Sequence, residues 1–282
     1  MGEELQGKLS LLEELLQSYG TVALGYSGGV DSTFLAAVLA RCLPERALLV
    51  HLASPFVGTP ERSSFEREGA RFGLPVLVVP IDPLAEPDIR TNPVDRCYHC
   101  KRTGFARIIS EAQARGYQTV IEGSNIDDPE DSRPGTRAMR ELGVRAPLRE
   151  TGWHKAEERE VLRTWGIATW SMPADACLAT RVRNGEELTR EKLELVRACE
   201  DYLRGLGLSL VRVRLAAGEA SVQAAPDDLR KLAGMAGGMV TADGSCLLPD
   251  PVAAAFRSFG VQEVAPTATP YRYGSMSGPA SA

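Results

Sequence analysis

TVALGY (21–26) runs without a break into SGGVDST (27–33), and FLAAVLA (34–40) follows at once. The first stretch is short and wholly apolar at its centre, the length of a buried strand. The third places Phe34, Leu35, Val38 and Leu39 at helical spacing. Strand, glycine turn and helix together have a physical use. A helix start presents free backbone N–H groups and a favourable dipole, so anions dock in front of it. Gly28 and Gly29 let the backbone turn sharply and approach a ligand closely. Ser27, Ser32 and Thr33 add hydroxyl donors. Asp31 is the odd element, because a carboxylate repels phosphate; it fits if it holds Mg²⁺ or accepts N–H bonds that shape the loop. The plainer alternative is a glycine turn capped by Asp31 or Ser32. The segment lacks the lysine of a Walker loop and the spacing of a GxGxxG loop.

Working outward, ALLVHLA (47–53), LPVLVVPI (74–81) and YQTVIEG (117–123) read as further strands. Helical patterns over 8–18, 31–42, 61–72 and 101–115 separate them. Strands alternating with helices predict an α/β fold with a doubly wound parallel sheet, over 1–175. Past that point the pattern changes. A charged amphipathic helix over 189–206 precedes LSLVRVRLA (208–216) and EASVQAA (219–225), both alternating at period two, then short helices over 227–235 and 249–259. This predicts a smaller C-terminal α+β domain, 176–282. The last dozen residues are rich in Gly, Ser, Pro and Ala, so the end beyond Gly278 is expected to be loose.

The 282 residues carry a formal net charge of −5, with pI near 5.4. That argues against a protein that grips nucleic acid through a basic surface. No apolar run reaches the length of a membrane span, and the acidic start MGEELQGK is not a secretory signal. A cytoplasmic location is expected. In a reducing compartment, six cysteines point to metal or catalysis rather than disulfides.

Three cysteines draw attention. Cys97 and Cys100 form a C-x-x-C pair in RCYHCK (96–101), expected just before the helix that starts at Lys101; Cys177 lies in PADACLATR (173–181). Three thiols can hold three irons of a 4Fe-4S cluster and leave the fourth open. Zinc with His99, His51 or His154 as fourth ligand, a redox dithiol, and small packed thiols are the other readings. Cys42, Cys199 and Cys246 stand in helical or apolar contexts and read as packing residues.

SGGVDS after the first strand resembles the PP-loop ATP pyrophosphatases, in which this loop grips the pyrophosphate end of ATP. The chain as a whole resembles the LarE family of ATP-dependent sulfur transferases. The matching segments are SGGVDST (27–33), RCYHCK (96–101), EGSNIDD (122–128), DSRPGTRA (131–138), RAPL (145–148), PADACLATR (173–181), LGLSLVRVR (206–214) and YRYGSM (271–276). The resemblance implies that a carboxylate of a pyridinium dicarboxylate mononucleotide is adenylated by ATP with Mg²⁺. Sulfur then displaces AMP to give a thiocarboxylate, a step in making the nickel-pincer nucleotide. It implies ATP contacts from Ser27, Gly28, Gly29, Asp31, Ser32 and Thr33, with Asp31 and Cys177 catalytic. The polyanionic substrate calls for cations, and Lys101, Arg133, Arg181, Arg212 and Arg214 are the candidates; a solvated face is the alternative for the last two. Glu122 and Asp128 read either as metal or ribose contacts or as a cap and a turn.

Family members with only the cysteine matching Cys177 sacrifice its sulfur, whereas those with three cysteines bind a 4Fe-4S cluster that carries sulfide; Cys97, Cys100 and Cys177 match the second type. A sulfide or other sulfur donor and a homo-oligomer are implied too. The chain departs from the family at Met172, Leu215 and Gln223, where Lys, His and Glu are usual. A PP-loop tRNA thiolase is the rival reading.

Overall fold

The computed structural model describes residues 2–128, 134–173 and 176–271. The chain divides into two compact units, Met1–Pro83 with Asp95–Asp175, and Leu84–Val94 with Ala176–Ala282.

The first unit begins with helix α1 (Glu3–Ser18). Strand β1 (Val22–Gly25), helix α2 (Val30–Cys42), strand β2 (Ala47–Ala53), helix α3 (Thr59–Glu68) and strand β3 (Val76–Pro80) follow. After a single turn of helix, α4 (Pro87–Arg90), come helix α5 (Arg96–Gln113), strand β4 (Thr119–Ile121) and helices α6 (Pro134–Glu141), α7 (Pro147–Glu150) and α8 (Lys155–Thr164). The four strands form one parallel sheet in the order β3-β2-β1-β4.

Strand alternation explains the two helical layers. Val22 and Leu24 of β1 face a core with Leu9, Leu12 and Leu16 of α1, Phe34, Leu35 and Val38 of α2, and Val161 and Leu162 of α8. Ala23 faces the other way, with Ile108 and Ala112 of α5 and Ala138 and Met139 of α6. This is the expected doubly wound α/β architecture. Each leucine that α1 buries is worth about 1.5–3 kcal/mol of transfer free energy, enough to fix an otherwise polar helix.

The strand order reverses direction beside β1. The connections after β1 and β4 leave the sheet in opposite directions and open a crevice at the strands' C-terminal ends, where ligands of such sheets bind. Residues 27–33 follow β1 and residues 122–128 follow β4, so both segments reach that crevice.

The second unit contains helix α9 (Arg190–Gly205), strands β5 (Val211–Ala216) and β6 (Glu219–Ala224), helix α10 (Pro226–Met235), strand β7 (Cys246–Leu247), helix α11 (Asp250–Phe259) and strand β8 (Glu263–Pro270). Its sheet order is β5-β6-β8-β7. The strand β8 escapes the sequence reading because EVAPTATP carries two prolines, which cannot donate to a ladder. The structure places Pro266 where the β6–β8 register shifts, between the pairs Ala220–Val264 and Val222–Ala268.

Leu84–Val94, which contains α4, joins the second unit although it precedes the whole of the first unit's α5. Buried Asn92, at φ 54°, donates from Nδ2 to the carbonyls of Val182 (3.2 Å) and Arg183 (2.9 Å). Its own carbonyl accepts from Gly185 N at 2.8 Å. Bonds between residues so far apart in sequence leave no local pattern to read.

Candidate functional site

Gly28 has φ 85°, a conformation that side chains disfavour. A Cβ there would lie 2.5 Å from the Glu61 carbonyl oxygen and 3.0 Å from Phe65 N, so only glycine fits between the loop and α3. Gly29 caps α2 with extended backbone. Its N–H donates to Ser27 Oγ at 3.2 Å, and Ser27 Oγ lies 3.1 Å from Ser32 Oγ. Ser32 Oγ also donates to the Gly29 carbonyl at 3.2 Å. The serines therefore tie the loop to itself, and the first turn of α2 keeps N–H groups without intrahelical acceptors.

Asp31 does not stand alone. Lys155 Nζ, from the first residue of α8, lies 3.0 Å from Asp31 Oδ2, and both side chains are partly exposed. Asn125 Nδ2, after β4, lies 3.5 Å from Asp31 Oδ1 and 2.8 Å from Glu158 Oε1. Gly123 allows this convergence: a Cβ there would come within 3.0 Å of the Asp31 Cβ. Burial, and then the charge of Asp31, push Glu158 up to about 10, so this carboxyl keeps its proton at neutral pH. Lys155 supplies the cation that the loop's own sequence lacks. The sequence reading missed Lys155, Asn125 and Glu158, which lie 94 residues or more from Asp31; the one hint in the sequence was Asn125 inside EGSNIDD.

Beside this cluster, His154 Nδ1 lies 2.7 Å from Asp127 Oδ1, and Lys155 N–H donates to Asp127 Oδ2 at 2.8 Å. The His154 hydrogen bond, foremost, holds Asp127 below the usual carboxylate range. Glu157 Oε2 accepts the His154 N–H at 2.7 Å, which fixes the start of α8. Lys101 Nζ lies 3.5 Å from Glu122 Oε2. Asp128 Oδ2 accepts the Asn125 N–H at 3.2 Å, closing the turn after β4.

Cys97 and Cys100 are the second and fifth residues of α5, not ahead of the helix as expected. Asp95 takes the N-cap position, so the helix starts five residues before Lys101. Three residues apart on a helix, the two thiols share one side. Cys97 is exposed and Cys100 partly buried, and Arg96 Nη2 lies 3.5 Å from Cys97 Sγ. Cys177 is partly buried and caps the short helical turn Leu178–Arg181 in the second unit. Among the described residues, no three His, Cys, Asp or Glu side chains are grouped to hold a metal. His51 stacks on Phe65 with centroids 3.8 Å apart, its Nδ1 2.9 Å from the Tyr26 carbonyl oxygen, and burial lowers its pKa. Arg133 lies outside the described residues, as do residues 131–132, 174–175 and 272–276 of the matching segments.

In the second unit, Arg181 and Arg204 both reach the carboxylate of Glu200. Arg181 is fully buried; its Nε and Nη2 reach the Glu200 carboxylate at 2.7 and 3.3 Å, and Nη1 donates to the Ala176 carbonyl at 2.7 Å. Its role in the structure is to hold α9 against the turn after Cys177. Glu200 also accepts Val213 N–H at 3.0 Å, which anchors β5. Arg212 and Arg214 are buried, so the solvated-face alternative is excluded. Arg214 donates to Gln223 Oε1 at 3.0 Å and to the Thr180 carbonyl at 2.9 Å. Burial first, then the charge of Arg181, lower its pKa to about 10. The charge of Arg212 adds to this lowering, while Tyr271 and Glu200 oppose it.

No helix among the described residues is long and apolar enough to cross a membrane. No family model matches the chain. It is 36% identical over 227 residues to the uncharacterized protein slr1717 of Synechocystis, covering 80% of this chain and 85% of that protein. Over 211 residues it is 29% identical to the pyridinium-3,5-bisthiocarboxylic acid mononucleotide synthase of Lactiplantibacillus plantarum, covering 74% of this chain and 76% of the synthase. An uncharacterized protein of Methanocaldococcus jannaschii, MJ0830, is 27% identical over 193 residues, covering 68% of this chain and 73% of that protein. The chain belongs to the family of the Synechocystis protein, and the Lactiplantibacillus synthase is its more distant homologue.

Proposed function

We propose that this chain is a LarE-type sulfur transferase of the PP-loop superfamily. It adenylates a carboxylate of a pyridinium-3,5-biscarboxylic acid mononucleotide and converts it to a thiocarboxylate. The observation that carries the reading is the loop 27–33 at the start of α2, with Asp31 and Lys155 at its mouth, in a chain homologous to a synthase of that class of product.

A carboxylate resists a sulfur nucleophile until one oxygen becomes a good leaving group. The substrate carboxylate oxygen attacks the α-phosphorus of ATP, the α–β phosphoanhydride bond breaks, and pyrophosphate leaves with the electron pair. Sulfide then adds to the acyl carbon and AMP departs. The α2 N–H groups and the hydroxyls of Ser27, Ser32 and Thr33 would receive the pyrophosphate. Asp31 offers the oxygen ligand that Mg²⁺ prefers, and the ion would neutralise charge on the leaving group. Lys155, once released from Asp31, would be free to contact the phosphates. Lys101, Arg212 and Arg214 are the proposed cations for the substrate, and Arg133 belongs to the same proposed set. Arg181, engaged with Glu200, would act by placing them.

Thiols are the ligands that iron–sulfur clusters take, and the paired Cys97 and Cys100 fit that donor chemistry. A 4Fe-4S cluster on Cys97, Cys100 and Cys177 would carry the sulfide, which a separate sulfur donor would provide. The protein would work in the cytoplasm, as a homo-oligomer.

Two measurements test this. Pyrophosphate release should require a pyridinium carboxylate nucleotide; release driven equally by tRNA would favour the thiolase instead. Anaerobic reconstitution with iron and sulfide should give a brown protein, and Cys97→Ser should stay colourless. A colourless wild-type chain carrying zinc would refute the cluster, and dehydroalanine at position 177 after one turnover would establish sacrifice of the Cys177 sulfur.

A further inference from the structure

Glu158 has no part in the chemistry above, yet its surface is 0% exposed. An apolar residue would fill this place on α8 at lower cost, so a carboxyl here needs a polar reason. Its Oε1 accepts the Asn125 Nδ2–H at 2.8 Å, and its Oε2 is buried without a hydrogen-bond partner among the described residues. Asn125 is itself buried, and its Oδ1 accepts the Asp127 N–H at 3.0 Å.

An asparagine amide has an oxygen end and an NH₂ end, and the two orientations differ chemically. With Glu158 as acceptor, the NH₂ end is fixed on the side that also faces Asp31 Oδ1 at 3.5 Å. Without that acceptor, only the Asp127 N–H (3.0 Å from Oδ1) holds the amide, and an amide that turned from it would present its oxygen to a carboxylate, which repels it. Asp31 would then lose the polar neighbour that keeps Oδ2 directed at Lys155.

We propose that Glu158 is a positioning residue: by holding the Asn125 amide, it sets the Asp31 carboxylate in the orientation that accepts Mg²⁺ when nucleotide binds. The inference rests on the reading of the loop as a Mg·ATP grip. It concerns the orientation of one carboxylate and not the identity of the substrate.

The test is calorimetric binding of ATP to the full-length chain over a range of Mg²⁺ concentrations, without the carboxylate substrate. Losing a hydrogen bond that orders a charged group should raise the half-saturating Mg²⁺ for Glu158→Ala by about tenfold. Glu158→Gln keeps an oxygen for Asn125 and should titrate within about twofold of wild type by the same reasoning. Asn125→Ala leaves α8 intact and should repeat the tenfold shift, so a folding defect of Glu158→Ala cannot mimic the result. A merely structural role would lower the bound fraction without moving the Mg²⁺ midpoint. Wild-type midpoints in Glu158→Ala and Asn125→Ala, or a Glu158→Gln as impaired as the alanine variant, would overturn the inference alone. A wild-type chain that binds no ATP at any Mg²⁺ would overturn it together with the phosphate-loop reading.

Discussion

Lys155–Asp31 in the first unit and Arg181–Glu200 in the second are ion pairs of similar length, 3.0 and 2.7 Å. Their surroundings differ. The Arg181–Glu200 side chains are 1% and 0% exposed, and Glu200 further binds Val213 N–H and Arg204 Nη2 (2.8 Å). The Lys155–Asp31 side chains are 33% and 24% exposed, and Asp31 stands in the first turn of α2. A buried pair with every oxygen engaged cannot exchange partners without disordering the fold. A half-exposed pair can, because water stabilises the intermediate states. The first is architecture, and the second can take part in a reaction cycle.

The largest effect should come from breaking the buried pair. Arg181→Ala leaves Glu200 charged and buried, and should cost about 3–5 kcal/mol. Thermal unfolding should show a much lower midpoint, with the second unit's proteolytic resistance lost. A midpoint within a few degrees of wild type would mean that the guanidinium contributes little to the fold and is available for substrate.

Breaking the exchangeable pair should reverse the balance between stability and activity. Asp31→Asn should change stability by less than about 1 kcal/mol, as half-exposed pairs do. It should reduce pyrophosphate release about a hundredfold or more, since a preorganised charge contact to the leaving group is gone. Iron binding should be unaffected. Full-rate release by Asp31→Asn would remove Mg²⁺ from this residue. Lys155→Met should have the same sign with a smaller loss, about tenfold, because one phosphate contact goes while the loop's N–H groups stay.

The two pairs also differ in how far the sequence announced them. SGGVDST is a contiguous strand–turn–helix segment, so β1, α2 and the loop are legible from local pattern. Arg181, Arg212 and Arg214 were legible as cations, but not as buried ones: alternation along VRVR says which residues share a face, not what covers it. Lys155 and Glu158 were not legible, because Lys155 reads as an ordinary helix-start lysine until β4 brings Asn125 and Gly123 against Asp31. The early start of α5 was missed as well. The helix was expected to start at Lys101, whereas Asp95 takes the N-cap position of a helix that already contains Cys97.

The finest test concerns pH and the carboxyl of Glu158, beside the exchangeable pair. Glu158 is pushed up to about 10 by burial, and then by Asp31. In the unfolded chain it would ionise at its ordinary value near 4.5. Between those values the unfolded state binds fewer protons than the folded state, so stability falls as pH rises. The slope cannot exceed about 1.4 kcal/mol per pH unit for one group, and the neighbouring Lys155 should reduce it. Gln at position 158 does not titrate. Measured without nucleotide or divalent cation, wild type should therefore lose stability relative to Glu158→Gln steadily from mildly acidic to mildly alkaline pH, and approach it most closely at the acidic end. Parallel melting curves for wild type and Glu158→Gln across that range would show that Glu158 is ionised in the folded chain, with Lys155 serving both carboxylates rather than Asp31 alone.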